Sequence, residues 1–497
     1  MPLKVNGNAT GFRAHLFTLR RGVLPVRVFT LYCKACKTTY RSNYSVTQAE
    51  ANTSIRQYYR DIPTAIEASE YCYVDRSLLP LIRAQMAFAH ASGKTVARIY
   101  NRGISNMPER VPLTSEHVWN AFYIHALMLD VQRRQVPLQF PHHGPQAERF
   151  RDVMAARNIR MAGTGQPQWA HTCDECERIV RPADPSQPAI RINACVMDGV
   201  TIGHPRCNVD RCVARLASPR DRFCEEHSDQ ERQCAIRGCN NATTDGMRTC
   251  SIAAHRSFEN ERRERGKALF RLRRRHERTM QAGQRYGDAV SKKPRQNPRK
   301  ARAETLSNLT KKAAISRRWT HNEELIVRTC GVVISRATFY EAESMSNCVR
   351  FLVSTFPPQL PRAHPSFCFF DSACLLLKHI LANNETRLDN IGLVVDVFHA
   401  INKHKDSDAF CQLNCNPATF PELFNEKNEW WYNSSACEQT NGWFGFFLPV
   451  VREMGEVNYN FFLDEMILIH NEWQVDVLRA RGTRPRLVPM SDLALPR

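Results

Sequence analysis

The chain has 497 residues, 19 of them cysteine, and a formal net charge of +20 at pH 7. With 43% apolar residues it can bury an ordinary core, and its length allows about two to four domains. The charge surplus points to a polyanionic partner, while no apolar run approaches the roughly eighteen residues of a membrane span and the opening MPLKVNGNATGF lacks the apolar stretch of a signal peptide.

Residues 1–160 are expected to mix strands and helices. VRVFTLYCKAC reads as a strand, and RSLLPLIRAQMAFAHA and SEHVWNAFYIHALMLDVQRR read as helices. Residues 161–188, with their Gly and Pro around HTCDEC, read as a linker. Residues 189–206 read as a strand running into a turn. Residues 207–255 are dense in Cys and His. Residues 256–320 are strongly basic, first as a charged helix and then as a linker around SKKPRQNPRKARAE. From 321 to 497 the pattern is globular again: a strand or hairpin in LIVRTCGVVISRATFY, a helix in SMSNCVRFLVSTF, a short strand in SFCFFD and a helix in ACLLLKHILANN.

With no secretory signal, paired cysteines point to zinc rather than to disulfides. The strongest motif is a repeat. Cys207, Cys212, Cys224 and His227 are spaced C-x4-C-x11-C-x2-H, and Cys234, Cys239, Cys250 and His255 are spaced C-x4-C-x10-C-x4-H. Three thiols and one imidazole in the same order, twice, suit two tetrahedral structural zinc ions, and a segment this small has too little core to fold without them. Sequential and cross-braced groupings both fit the spacing. A second candidate set is His399, His404, Cys411 and Cys415. Cys33 with Cys36, and Cys173 with Cys176 near His171, are each half a site; the two pairs could share a metal, or Cys72 could join the first.

Asp371 stands at the end of the apolar SFCFFD and Asp198 at the end of the apolar RINACVMD. A buried carboxylate is costly without a partner. If the two strands are neighbours their carboxylates converge, and Glu438, at the start of a helix in NSSACEQTNGWF, could complete an oxygen-donor set for magnesium or manganese. Asp396, Asp406, Asp408 and the Asp464–Glu465 pair compete for this role, and Asp371 could instead simply cap the following helix.

The stretches VMDGVTIGHPRC with the double Cys/His cluster, FFDSACLLLKHI, VFHAINKHKDSDAFCQLNCNPATFPEL, SSACEQTNGWF and YNFFLDEMI resemble the KDZ (Kyakuja–Dileera–Zisupton) transposases of fungi, in the subgroup with associated cysteine-cluster domains. LFTLRRGVLPV, LYCKACKTTY and RQYYRDIP are similar to the cysteine-cluster region upstream in those proteins. The resemblance implies an α/β chain: an RNase H-like mixed-sheet catalytic domain interrupted after its first strand by the zinc module, preceded by an α+β cysteine-cluster region. It implies a DDE triad of Asp198, Asp371 and Glu438 holding Mg2+ or Mn2+, beside structural Zn2+. The implied activity is cutting and joining of DNA phosphodiesters in the nucleus.

DNA is then the expected partner, with a homo-oligomer left open and no membrane. Phosphate contacts are expected from Arg262, Arg263, Arg265, Arg273, Arg274, Arg275, Lys292 and Lys293. The rival reading is a non-catalytic, zinc-dependent DNA- or chromatin-binding protein derived from a transposon. A protein-interaction scaffold is the third.

Overall fold

Strand β1, Ile190–Val200, organises the larger part of the molecule. Successive strand residues face opposite sides of a sheet, and here both sides are apolar. Ala194 and Val196 join one core cluster, and Cys195 and Met197 join another. A strand buried on both faces needs cover on both, and the rest of the chain supplies it.

In the computed structural model, the described residues are 4–5, 11–48, 53–106, 111–181, 186, 189–244, 246–267, 271–273, 275–276 and 313–495. They divide into two compact units, one made of Met1–Gly203 with His321–Arg497 and the other of His204–Thr320.

In the first unit, β1 is flanked by β2 (Asn322–Arg328), β3 (Val333–Phe339), β4 (Phe367–Phe370) and β5 (Gly392–Val394), in the spatial order β3-β2-β1-β4-β5. β2 runs antiparallel to β1 and to β3, whereas β4 runs parallel to β1 and to β5. Helices α1 (Met345–Thr355) and α2 (Ala373–Ala382) pack on one face through Cys348, Leu352, Cys374 and Leu376. Helices α3 (Ala436–Phe444) and α4 (Glu456–Ala480) bring Cys437, Phe444, Phe462 and Met466 to the other. The strands and helices expected from LIVRTCGVVISRATFY, SMSNCVRFLVSTF, SFCFFD and ACLLLKHILANN all form.

The region expected to be a linker, 161–188, is built into this unit. Strand Glu177–Val180 pairs antiparallel with the first half of β1, and Cys173 and Cys176 are buried. The Gly and Pro content hid a short edge strand whose partner lies ten or so residues further on.

Residues 12–75 form two antiparallel-rich sheets. One has Phe12–Thr18 between Gly22–Val28 and Cys72–Asp75. The other runs through Leu31–Cys33, Thr38–Tyr40, Tyr44–Gln48 and Ser54–Tyr58. The stretch read as one strand, VRVFTLYCKAC, is thus split between two sheets. Helix Ser115–Arg134 starts where the sequence places it, on a Thr114–His117 capping box.

Buried ion pairs fasten α4 to its surroundings. Arg336 of β3 bonds Glu323 of β2, and its Nε lies 3.1 Å from Asp464 of α4. Arg157 pairs with Glu465. Asp464 and Glu465 are therefore structural, which removes them as competitors for a catalytic role. Replacing Arg336 by Met leaves two buried carboxylates without their cation. We expect a loss of about 3–5 kcal/mol in unfolding free energy, read as a lowered thermal midpoint.

Candidate metal centres and acidic site

The second unit carries the repeated Cys/His motif, and its ligands group sequentially. Cys207, Cys212, Cys224 and His227 form one cluster, and Cys234, Cys239, Cys250 and His255 the other. Cys224 Sγ lies 3.2 Å from His227 Nδ1, and Cys250 Sγ lies 3.4 Å from His255 Nδ1. The Cys212–Cys224 and Cys239–Cys250 sulfur separations are both 3.8 Å. A tetrahedral ion with bonds of about 2.3 Å to sulfur sets that edge at about 3.8 Å. Each cluster can hold a zinc ion. Among its described residues the two apolar clusters of this unit are small and built around the cysteines themselves.

The third set differs from the expected quartet. Cys374, His404 and Cys411 come together, and Cys374 was not foreseen because it lies thirty residues upstream on α2. His404 Nδ1 is 3.1 Å from Cys411 Sγ, while its Nε2–H donates to the backbone carbonyl of Asp371 at 2.8 Å. Cys415 is buried nearby, and the charges of Cys374 and Cys411 help push its thiol up to about 12, after burial. His399 does not belong here. Its Nδ1 is 2.6 Å from Asp396 and 3.6 Å from Glu438.

Cys33 and Cys36 have no third ligand among the described residues, and Cys173 and Cys176 gather instead with His171 and Cys330. The two CxxC pairs therefore do not share a metal.

The acids converge at the C-terminal ends of β1 and β4. Met197 pairs with Phe370 in parallel register, so Asp198 and Asp371 follow on adjacent strands. Asp371 is not the cap of α2, because Ser372 takes that place. Helix α3 lies across β1: Asn441 Nδ2 donates to Asp198 Oδ2 at 2.8 Å, and Glu438 sits one turn earlier. Burial, followed by Asp396 and Asp198, raises the pKa of Glu438; burial also raises Asp198, with Asp371 adding to it.

Two further carboxylates, which sequence reasoning missed, reach this end of the sheet. A side chain at Gly199 would meet Glu324 Oε2 at 2.7 Å and Glu343 Oε2 at 3.3 Å, so the glycine is what leaves them room. Glu324 is fully buried and held well above the usual carboxylate range by burial and then by Glu343, Asp198 and Asp371. Its signal in the sequence was a pair of acids directly before the apolar Leu325–Val327 of a central strand, NEELIVR. Among the described residues no lysine or arginine pairs with Asp198, Glu324, Glu343, Asp371 or Glu438. Asp371 Oδ1, Glu324 Oε1 and Glu438 Oε2 are buried with no hydrogen-bond partner.

Two family models match the chain. A CxC5-like cysteine cluster associated with KDZ transposases matches residues 6–104, and a CxC6-like cysteine cluster associated with KDZ transposases matches residues 196–261. The chain is KDZ transposase-like in its cysteine clusters. No curated protein and no solved structure matches it. The CxC6-like match begins two residues before Asp198 and spans both Cys3His clusters. The CxC5-like match contains only Cys33, Cys36 and Cys72 as cysteines, too few for a four-thiol site of its own.

Several basic residues expected to meet DNA are engaged within the second unit. Arg262 donates to Ser316, Arg263 to Glu259 and Gly246, and Arg265 pairs with Glu261. Arg273 and Arg275 are exposed, whereas Arg274, Lys292 and Lys293 lie outside the described residues. Of the tryptophans near Glu438, Trp443 donates to the Ala87 carbonyl and packs 4.5 Å from His470, as core does. Asp408 caps helix Ala409–Asn414 and faces Lys378, which is structural work.

Proposed function

We propose that this protein is a DNA transposase, or a derivative of one, that cuts and joins DNA phosphodiesters at the acidic site through Asp198, Asp371 and Glu438. The observation that carries the reading is a set of carboxylates at one end of the sheet with which, among the described residues, no lysine or arginine pairs. The strand order β3-β2-β1-β4-β5, antiparallel on one side of β1 and parallel on the other, supports an RNase H-like catalytic domain. The cysteine clusters and the +20 charge support a DNA substrate.

When bound, two divalent ions polarise the scissile phosphate and activate the attacking water. Asp198 and Asp371 would hold such ions from the strands, and Glu438 would close the set from α3. Asn441 orients Asp198 through its 2.8 Å hydrogen bond, and His399 links Asp396 to Glu438. His404 fixes the Asp371 backbone, so the Cys374–His404–Cys411 centre positions a catalytic residue without touching substrate. The fixed arrangement matters because phosphoryl chemistry is catalysed chiefly by preorganised charge. Nuclear residence follows from the substrate.

The second reading, zinc-dependent DNA or chromatin binding without cleavage, is favoured by the second unit, which carries both Cys3His clusters and holds His255 of the second in helix Ala253–Gly266. One assay separates the two. The zinc-loaded full chain is incubated with supercoiled plasmid and Mn2+. Nicked circles are expected; retention of the plasmid in a gel-shift without nicking supports the second reading.

A further inference from the structure

We propose a structural zinc site made by His171, Cys173, Cys176 and Cys330, in which the β2–β3 turn supplies the fourth ligand to a motif 154 residues upstream. The four ligand atoms lie within 4.8 Å of one another, and all four residues are buried. Cys173 and Cys176 stand 3.6 Å apart at sulfur, and the Cys173 amide donates to Cys176 Sγ at 3.2 Å. Cys330 Sγ is 3.3 Å from His171 Nε2. These separations are those of ligands around one small tetrahedral ion.

A second observation is independent of the ligands. Arg328 is 6% exposed, and its Nε and Nη1 are buried without a hydrogen-bond partner. A buried guanidinium without a counter-charge is costly. Arg328 and Cys330 lie in one turn, closed by the Gly331 amide donating to the Arg328 carbonyl at 2.8 Å. Zinc bound by three thiolates and a neutral imidazole carries one net negative charge, which is the partner Arg328 lacks. Among the described residues no carboxylate pairs with Arg328.

The place in the fold explains the use. Cys330 sits in the turn that Gly331 makes with φ +89°, at the end of the β2–β3 hairpin. His171–Thr172 pairs with Arg486–Leu487, beyond the end of α4, and Glu177–Val180 pairs with β1. One ion would therefore tie the hairpin, the edge strand and the tail of α4 together. Arg328 pairs with Cys195 and Asp198 with Leu325, so the ion would sit at the end of the sheet away from the acidic site. It would hold the strands that carry Asp198 without contacting the substrate.

The test is elemental analysis of zinc per chain in the purified full-length protein, compared with Cys330→Ser and His171→Cys. The Cys330→Ser protein is expected to bind one zinc fewer than wild type. His171→Cys, which keeps four ligands, is expected to retain the full number, a rescue that general misfolding would not give. Unchanged zinc in a folded Cys330→Ser protein overturns the proposal. So does a Cys173–Cys176 disulfide found by mass spectrometry after thiol alkylation of the wild-type protein. If Cys330→Ser does not fold, wild-type and His171→Cys zinc counts decide: a value below one ion per complete Cys/His cluster overturns it.

Discussion

Asp371→Asn is expected to lower DNA nicking by about a thousandfold, roughly 4 kcal/mol of transition-state stabilisation, while zinc content and plasmid binding stay at wild-type levels. Asp371 is partly exposed at the end of β4 and one of its oxygens is buried without a partner. The amide is nearly the same size, so packing is kept. It is neutral and a poor ligand for a hard cation, so only charge and coordination are lost. Asp198→Asn should behave alike. Glu324→Gln makes a sharper distinction. If Glu324 helps to hold an ion, nicking falls by at least tenfold and higher Mn2+ partly restores it. If Glu324 is merely buried, the amide relieves repulsion with Glu343 and Asp198, and activity is unchanged while stability rises. Plasmid nicking against Mn2+ concentration, with thermal melting of each variant, reads both.

The second large effect is expected from the Cys3His clusters. Cys224→Ser or Cys250→Ser should unfold the second unit and leave the first folded. The unit's apolar clusters are centred on Cys207 and Cys224, and on Cys234 and Cys250. Structural zinc is worth about 10–16 kcal/mol of apparent binding energy in modules of this kind, more than so small a core replaces. Limited proteolysis should cut either variant within 204–320 and spare the α4 region, and elemental analysis should show lost zinc. A variant as protease-resistant as wild type contradicts a zinc-dependent fold. Chelation of the wild-type protein should reproduce the cleavage pattern.

Much of this was legible because local patterns report local structure. Each unit of the Cys3His repeat spans about twenty residues, so spacing named all eight ligands, while their sequential grouping came from the fold. β1, β4, α1 and α2 were legible from apolar runs bounded by turn residues. What stayed hidden was carried by long-range register. Cys330 joins His171 only because β2 returns beside β1, and Cys374 joins His404 only because α2 packs near the segment after β5. His399 was grouped with the wrong partners for a related reason: it lies five residues before His404, yet the first turn of its helix aims it at Asp396 and Glu438. Glu323 and Glu324 show the limit most plainly. They are adjacent acids in one buried strand, and only the opposite faces of the sheet tell that Glu323 answers Arg336 and Tyr459 whereas Glu324 meets no lysine or arginine among the described residues.

Manganese binding to the zinc-loaded full chain, followed by electron paramagnetic resonance in the absence of DNA, tests the acidic site most directly. The account predicts bound Mn2+ in the wild-type protein and at least tenfold weaker binding in both Asp198→Asn and Asp371→Asn, with zinc unchanged. Wild-type protein that binds no Mn2+, or binding that neither substitution weakens, would contradict it.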